Sequence, residues 1–346
     1  MATPSKLARD ARANRAAAAT ITSRDNRWLK EFRVALRGGL PTESGFVGVE
    51  GVRLVEEALR SGCRIEAVLF SETGERHHER LAPMIDPQEM AFPVLRTTDR
   101  LFEGIADTEH PQGVAALVKP RSATLDDLLQ ARAEVCAPLL VVLAGLQDPG
   151  NVGTIIRTAA AFGATGAVTT ASGQSGTASP FSPKALRASA GAALHLPILA
   201  GMSLPILLTQ LHIANVRTVA TSAHAGAQHA ASKPGVAGAR FSASQSVPPA
   251  SRRPDRATEN TAPQPGAVAP PLAPWEIDWC EPVALLVGNE GAGLPEEIEL
   301  SADARIHIPI AIGVESLNAA AAAAVLFYEA ARQRAKLTNK STGGAE

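Results

Sequence analysis

Polar side chains that could take part in catalysis are concentrated around three loops. They are Asn151 and Arg157 in the first loop and the helix predicted to follow it, Glu290 in the second loop, and Ser316 and Asn318 in the third. A largely apolar segment precedes each loop, at residues 139–144, 283–287 and 306–310. Such apolar runs are typical of strands buried on both faces of a parallel sheet. Because ligands bind at the carboxyl ends of these strands, we expect the three loops to form one site.

The loops are also rich in glycine, which lets a backbone approach a ligand closely. The second loop reads Gly288-Asn289-Glu290-Gly291-Ala292-Gly293. Neither the dinucleotide pattern G-x-G-x-x-G nor the phosphate-binding pattern G-x-x-x-x-G-K-[ST] occurs in these loops, and no acidic residue is evident at the end of a second strand. The spacing therefore disfavours a dinucleotide-dependent oxidoreductase.

The composition of the whole chain is that of an ordinary soluble protein. Of its 346 residues, 45% are apolar and 19% are charged, and the formal net charge is −1. This length predicts two domains. No stretch approaches the roughly 18 apolar residues of a membrane span, and no secretory signal is present, so the chain is predicted to be cytoplasmic with no membrane partner. The three cysteines match no disulfide or metal-ligand spacing, so we expect reduced thiols and no metal.

The N-terminal segment is basic although the chain as a whole is nearly neutral. Residues 1–37 contain nine Lys or Arg and three Asp or Glu, an excess of six positive charges. Three interpretations remain open, namely an arm that screens phosphates, an organelle transit peptide, and the solvated face of a helix. We expect residues 1–20 to be a disordered arm.

Hydrophobic periodicity predicts two α/β units with parallel or mixed sheets. The first unit spans residues 46–120, with strands predicted at 46–50, 65–70, 93–95 and 113–118 and helices at 52–59 and 99–105. A short helix and linker at 121–137 leads to the second unit at 138–338. Its predicted strands lie at 139–144, 167–170, 216–221 and 283–287, with helices at 154–162 and from 319 to about 334.

One segment of the second unit lacks the composition of a core. Residues 222–274 contain nine prolines but only five large apolar residues. Such a segment buries too little surface to offset its ordering entropy, so we expect a disordered insertion. Residues 339–346 are interpreted as a tail.

The three loops together resemble the three ordered motifs of the SpoU/TrmH family of RNA ribose methyltransferases, within the SPOUT superfamily. The matching segments are Asn151-Val152-Gly153-Thr154-Ile155-Ile156-Arg157-Thr158-Ala159, Gly288-Asn289-Glu290-Gly291-Ala292-Gly293, and Ile308-Pro309-Ile310 followed by Ser316-Leu317-Asn318. Residues 182–191 resemble a further family segment, and residues 21–120 resemble the ribosomal-protein-like substrate-binding domain of many members. The insertion at 222–274 departs from the family pattern, and Ile310 stands where many members have Met.

The resemblance implies a fold, a cofactor and a reaction. The fold is α/β, with a knotted (deep trefoil) parallel-sheet catalytic domain preceded by a smaller α/β substrate-binding domain. The reaction moves a methyl group from S-adenosyl-L-methionine to a ribose 2′-hydroxyl. By matching motifs, the cofactor would contact Gly288, Asn289, Gly293, Ile308, Ile310 and Leu317, mainly through backbone groups.

The family's catalytic positions correspond to Asn151, Arg157, Glu290, Ser316 and Asn318. We expect Arg157 to clamp a phosphate and stabilise alkoxide charge rather than act as a base, because a guanidinium stays protonated. Glu290 is expected to pair with Arg157. The simpler alternatives are that Asn151, Ser316 or Asn318 caps a helix and that Glu290 is a surface acid, while His195 and His307 are interpreted as structural.

The resemblance also implies partners. RNA is the expected substrate, ribosomal RNA being favoured over transfer RNA, and a homodimer is expected to form through the apolar last helix at residues 325–328. Weaker candidates for RNA contact are Arg24, Arg27, Arg53, Lys184 and Arg187, although Lys184 and Arg187 could equally form surface ion pairs. Two other functions remain open: a non-catalytic RNA-binding or ribosome-assembly protein, and a base methyltransferase, which the Ser316-Leu317-Asn318 pattern disfavours.

Overall fold

The computed structural model describes residues 20–85, 92–130, 137–171, 176–222, 270–311 and 313–342, with side chains up to residue 336. The basic arm before residue 20, residues 223–269 of the insertion and the last four residues of the tail lie outside the described residues. Within the described chain, no helix is long and apolar enough to cross a membrane.

The N-terminal unit is a four-stranded mixed sheet with helices on its faces. Its elements are α1 (Arg27–Leu36), β1 (Val47–Glu50), α2 (Val52–Arg60), β2 (Arg64–Ser71), α3 (His78–Leu81), β3 (Val94–Thr97), α4 (Asp99–Glu103) and β4 (Val114–Lys119). The strand order is β1-β4-β2-β3, in which only β2 and β3 are parallel. The predicted strands and helices of this unit are confirmed, whereas α1 is an additional helix that begins at the N-cap Asn26.

The second unit is a six-stranded, all-parallel sheet, joined to the first by α5 (Leu125–Gln130). Its elements are β5 (Leu139–Leu143), α6 (Pro149–Ala161), β6 (Gly166–Thr170), α7 (Pro183–Ala188), β7 (Ile198–Met202), α8 (Leu204–Ile213), β8 (Arg217–Thr221), β9 (Val283–Val287), α9 (Glu296–Ser301), β10 (Ala304–Ile306) and α10 (Ala319–Thr342). The strand order is β10-β8-β9-β5-β6-β7. Every residue of β5 and β9 is buried, as the continuous apolar runs predict.

Two boundaries differ from the sequence-based expectations, and two elements were not expected. Helix α6 begins at Pro149 rather than near Thr154, because the Asp148 side chain caps it and proline suits its first turn. The strand expected at residues 306–310 is instead β10, which ends at Ile306. Strand β7 and helix α8 were not predicted: β7 is an edge strand with only one buried residue, and since its five residues include no polar side chain they show no apolar–polar alternation.

Helices α6 and α7 pack closely because glycine lies between them. A Cβ at Gly153 would lie 2.3 Å from the Ala185 carbonyl oxygen and 2.8 Å from the Ala188 Cβ. Gly153, part of the first sequence motif, therefore serves helix packing.

The chain leaves and re-enters the sheet at one place around residues 223–269. The Ser222 N–H donates to the Ile306 carbonyl at 2.9 Å, and the Leu272 N–H donates to the Arg305 carbonyl at 2.8 Å. The His307 N–H in turn donates to Leu272 at 2.9 Å. Both ends of this segment are thus held by β10 and the residue after it.

Arg334 of α10 binds the chain at the beginnings of the two central strands. Its guanidinium donates to the carbonyls of Ala137 and Pro138 before β5, at 2.6 and 3.3 Å, and to those of Trp279 and Glu281 before β9, at 2.7 and 3.1 Å. One side chain therefore holds three segments that are distant in sequence.

We expect Arg334→Ala to lower the free energy of unfolding by about 2 kcal/mol or more, because it leaves several half-buried carbonyls without a charged donor. Arg332→Ala is the control, since within the described part of the chain Arg332 forms its ion pair with Glu329 on its own helix and such surface pairs contribute little. Urea denaturation of both variants measures the difference. Equal stability of the two would show that the Arg334 contacts do not hold the strands.

Candidate functional site

The site lies at the carboxyl ends of the central strands, where three loops meet. We define the first loop as residues 144–148 after β5, the second as 288–295 after β9, and the third as 307–318 after β10. Because β5 and β9 are adjacent and parallel, the first two loops leave the sheet side by side. The third loop leads into α10, which packs on α6.

Asn151 connects all three loops through its side-chain amide. Its Nδ2 donates to Glu290 Oε1 of the second loop at 3.0 Å, and its Oδ1 accepts from Asn318 Nδ2 of the third loop at 3.1 Å. Asn151 itself lies in the first turn of α6, directly after the first loop. Three of the five predicted catalytic residues are therefore in one hydrogen-bonded chain.

Asn318 also caps the last helix. Its Oδ1 accepts from the N–H groups of Ala320 and Ala321 at 2.8 and 3.3 Å. Since these donors fix the amide oxygen, Nδ2 is the group left to face Asn151. The capping alternative is correct for Asn318 and coexists with its contact at the site.

The capping alternative is wrong for Asn151. The N-cap of α6 is Asp148, whose carboxylate accepts from the Gly150 N–H at 3.0 Å and pairs with Lys184 Nζ at 2.6 Å. The hydrogen bond from Lys184, followed by that from Gly150, lowers the pKa of Asp148. Asn151 is thereby left free to join the loops.

The Glu290 carboxylate is stabilised in its ionised form. Burial raises the pKa of Glu290, but hydrogen bonds from Asn151 and from the backbone N–H groups of Glu290, Gln147 and Asp148 together outweigh it, so that the pKa is lowered overall. Glu290 is therefore not simply a solvated surface acid, because its carboxylate accepts hydrogen bonds from Asn151 and from backbone N–H groups.

The second loop is a tight turn built by Asn289. Its Oδ1 accepts from the Gly291 and Ala292 N–H groups at 2.9 and 3.0 Å, and its Nδ2 donates to the Gly145 carbonyl at 2.9 Å. The backbones of Asn289 and Gly293 bond each other in both directions at 3.0 Å. A Cβ at Gly288 would lie 2.3 Å from the Gly293 carbonyl carbon, so this position requires glycine.

A cleft opens between the second and third loops. It holds about 760 Å³ of space, part of which is open to solvent. All six residues predicted to contact the cofactor line it, together with Glu290 and Ser316. Its other lining residues are Thr221, Ser222, Val287, Ile306, His307, Glu315, Ala319, Ala322 and Leu326.

Backbone donors are available in this cleft. Among the described residues, none accepts a hydrogen bond from the N–H of Gly288, Ile308 or Leu317. Apolar walls with unpaired N–H groups suit a flat heterocycle that offers hydrogen-bond acceptors at its edge. No group of three or more His, Cys, Asp or Glu side chains in the described ranges is arranged to hold a metal ion.

Arg157 does not reach the hydrogen-bonded chain, and the expected Arg157–Glu290 pair is wrong. Arg157 is exposed and forms no ion pair with another described residue. It lies six residues after Asn151 on α6, which places it about 9 Å further along the helix and about 120° around its axis. Glu290 pairs with Asn151 instead.

The weaker RNA candidates are spread over the surface. Arg24, Arg27 and Arg53 are exposed on the N-terminal unit, where Arg27 lies 5.1 Å from the centre of the Trp28 ring. Lys184 and Arg187 both form ion pairs, with Asp148 and Asp107. His195 pairs with Glu57 at 3.0 Å, a structural contact.

Sequence patterns gave no sign of the residues that support the first loop. The Thr177 hydroxyl donates to the Leu143 carbonyl at 2.7 Å and accepts from the Gly145 N–H at 3.0 Å. The Gln147 side chain donates to the carbonyls of Gly145 and Gly176. A lone Thr or Gln has no characteristic spacing, so only the fold reveals these contacts.

Two family models match the chain. The model described as the SpoU rRNA Methylase family matches residues 138–240 and 257–328, and the model described as the MRM3-like substrate binding domain matches residues 42–116. Together they include all three loops and most of the N-terminal sheet.

The chain is similar along most of its length to known proteins. An uncharacterized tRNA/rRNA methyltransferase from Synechocystis sp. is 31% identical over 316 residues, which cover 91% of this chain and 94% of that protein. A 23S rRNA (guanosine(2553)-2′-O)-methyltransferase from Bacillus subtilis is 27% identical, covering 89% and 97%. The structure of an AdoMet-bound rRNA methyltransferase from Sinorhizobium meliloti superposes with a TM-score of 0.65 at 27% identity, covering 91% and 97%.

The lowered pKa of Glu290 predicts a pH-dependent contribution to stability. Its ionised form stabilises the fold above about pH 4.3, the ordinary pKa of Glu, and this contribution is lost as the pH falls below that value towards the lowered pKa. Glu290→Gln should therefore be less stable than wild type at neutral pH, and the difference should shrink in acid. Denaturation from about pH 7 to about pH 3 measures it.

Glu297→Gln is the charge-matched control, because Glu297 is exposed on α9 and forms no ion pair with a described residue. A Glu290→Gln deficit that stays constant with pH would contradict the role given to the ionised carboxylate.

Proposed function

The chain belongs to the SpoU rRNA methylase family, and from that membership we propose a specific RNA substrate and a site shared between two subunits. It is an S-adenosylmethionine-dependent enzyme that methylates a ribose 2′-hydroxyl of RNA. The substrate we propose is ribosomal RNA. The Asn151 amide carries the proposal, because it joins the three family loops beside a cleft of suitable chemistry.

The cleft fits S-adenosylmethionine. Apolar side chains such as Ile306 and Leu326 suit the adenine ring, while the unpaired N–H groups of Gly288, Ile308 and Leu317 suit the acceptors of adenine. The glycine required at Gly288 brings the second-loop backbone against the cleft. These residues are proposed to hold the cofactor, which supplies an electrophilic methyl group when bound.

The catalytic task of the chain is to align the ribose and stabilise the charge that develops on its 2′-oxygen. Alignment of this kind can contribute roughly 7 to 11 kcal/mol of the barrier. Ser316 lines the cleft, and Asn151 and Asn318 lie next to it, so these side chains are proposed to orient the hydroxyl. Arg157 is proposed to clamp the adjacent phosphate and stabilise the alkoxide, with a phosphate oxygen or water taking the proton.

The position of Arg157 supports a site built from two subunits. Exposed side chains form a strip along α10, with Val325 43% and Tyr328 58% exposed, and Tyr328 contacts Phe162 at the end of α6 edge-on. A second copy packed on α6 and α10 would cover this strip. It would also bring its own Arg157 close to Asn151 of the first copy. We propose this homodimer.

The N-terminal unit is proposed to bind the RNA and residues 138–338 to form the catalytic domain, with 121–137 as a linker. Ribosomal RNA is supported by the Bacillus relative, which acts on 23S rRNA, and by the match of residues 42–116 to a substrate-binding domain. The second and third loops are proposed to form a trefoil knot. Their strands support it, since β9 lies between β5 and β8 while β10 lies beyond β8.

The function is tested by methyl transfer from labelled S-adenosylmethionine to ribosomal RNA of a deletion strain. Label should appear as 2′-O-methylnucleosides at an alkali-resistant bond, and not in transfer RNA. Gly288→Ala should abolish both labelling and cofactor binding by calorimetry, because its Cβ would displace the backbone at Gly293.

Gly291→Ala is the matched control in the same loop, where the nearest atom to an added Cβ is Asn289 Oδ1 at 3.7 Å. Labelling of transfer RNA alone, or of a base, would overturn the proposed substrate. Unchanged cofactor binding by Gly288→Ala would overturn the proposed cofactor site.

A shared site is tested by mixing two inactive variants, Arg157→Ala and Asn318→Ala. If Arg157 acts on the partner's site, each mixed dimer has one intact site, and an equal mixture regains about a quarter of wild-type activity. If Arg157 acts within its own subunit, every site carries a substitution and the mixture stays inactive. Remixing after mild dissociation, followed by the labelling assay, separates the two outcomes.

A further inference from the structure

The segment of residues 183–196 connects the two units of the chain and contains α7. On one side it packs against α6, where Gly153 allows close approach and Lys184 pairs with Asp148 at the helix N-terminus. On its other side it contacts the N-terminal unit. The segment therefore lies between the proposed RNA-binding unit and the helix that carries Asn151 and Arg157.

Two contacts between ionisable side chains of the described residues hold this segment to the N-terminal unit, and they lie eight residues apart on the segment. Arg187 pairs with Asp107 at 2.7 Å, and His195 contacts Glu57 at 3.0 Å. Leu186, next to Arg187, and Leu194, next to His195, join one apolar cluster with residues of β1 and α2. Gly191 allows this segment to lie close to α2, since a Cβ there would lie 2.8 Å from the Glu57 Cβ.

The backbone that carries Asp107 is held by additional hydrogen bonds, which an ordinary surface ion pair lacks. Glu50 at the end of β1 is only 7% exposed, and its carboxylate accepts from the Asp107 N–H at 2.8 Å and from the Thr108 hydroxyl. The buried carboxylate thus fixes the backbone that presents Asp107 to Arg187.

We propose that Arg187 and Asp107, held by Glu50, are positioning residues that fix the orientation of the RNA-binding unit relative to the catalytic helix. This inference rests on the proposed function. When the pair is intact, RNA bound to the N-terminal unit presents its target ribose to the site in one orientation. When the pair is broken, the units take up this orientation only part of the time, so RNA binds the complete site more weakly, whereas a ribose bound there is still placed correctly.

The kinetic test uses Asp107→Asn, Arg187→Gln and the exchanged pair Asp107→Arg with Arg187→Asp. Each single variant should raise KM for ribosomal RNA of a deletion strain about tenfold, with kcat and cofactor affinity unchanged. The exchanged pair should return to within about twofold of wild type. Asp107→Asn is the sharpest variant, because removing a negative charge would by simple electrostatics strengthen RNA binding.

The control is Glu75→Gln, which breaks a pair of similar exposure inside the N-terminal unit. Arg96 and Glu75 are 2.9 Å apart with side chains 37% and 41% exposed, against 36% and 30% for Arg187 and Asp107. An equal rise in KM for this control would overturn the inference in favour of general destabilisation. A rise for Arg187→Gln alone, not restored by the exchange, would overturn it in favour of direct RNA contact by Arg187.

A second measurement does not depend on activity. Cys63 is buried against the second unit, where its Sγ lies 3.4 Å from the Leu194 carbonyl oxygen. Any opening between the units exposes this thiol, so Asp107→Asn should raise its alkylation rate about tenfold and the exchanged pair should restore it. An unchanged rate would overturn the inference, whereas a wild-type protein that methylates no ribosomal RNA would overturn only the proposed function.

Discussion

The site depends on one amide that is hydrogen-bonded at both ends. Asn151 accepts from Asn318 and donates to Glu290, so it holds together loops that leave three different strands. The donors at the beginning of α10 fix Asn318, and the ionised carboxylate of Glu290 provides the acceptor at the other end. Since every bond in this chain has one possible direction of donation, the side chains have a single consistent arrangement.

This arrangement requires the strands beneath it to be fixed in register. Strands β5 and β9 pair along their whole length, from Leu139 opposite Val283 to Leu143 opposite Val287. At the other end of these strands, the Arg334 guanidinium binds carbonyl groups that precede β5 and β9. Burial of all ten strand residues makes a shift of register costly, because a charged or polar loop residue would have to enter the core. The positions of the loops therefore follow from the packing of the sheet.

Much of this could be predicted from the sequence. Continuous apolar runs identify β5 and β9. The three motifs identify the hydrogen-bonded side chains of Asn318, Asn151 and Glu290, and also six residues that line the cleft. The edge strand β7 and helix α8 could not be found, since half-exposed elements have no clear periodicity. The expected pair of Glu290 with Arg157 was wrong because the motifs do not say which residue of α6 lies beside the second loop, and that residue is Asn151.

The contacts between the units lie beyond any sequence pattern. Asp107 and Arg187 are eighty residues apart, and each stands among ordinary charged surface residues. Glu50 looks like a strand-terminal acid until the fold buries it below the Asp107 backbone. Long-range polar pairs of this kind depend on geometry that only the assembled units provide.

The anchoring of residues 222 and 272 has a consequence for how this family can diversify. Both ends of the intervening chain bond to neighbouring carbonyls of Arg305 and Ile306, so the exit and entry points are already close together in the sheet. Lengthening a connection whose ends are fixed in this way adds closure entropy only logarithmically. Related enzymes could therefore gain or lose dozens of residues at this point, acquiring new sequence beside the cleft while the strands and the three loops keep their positions.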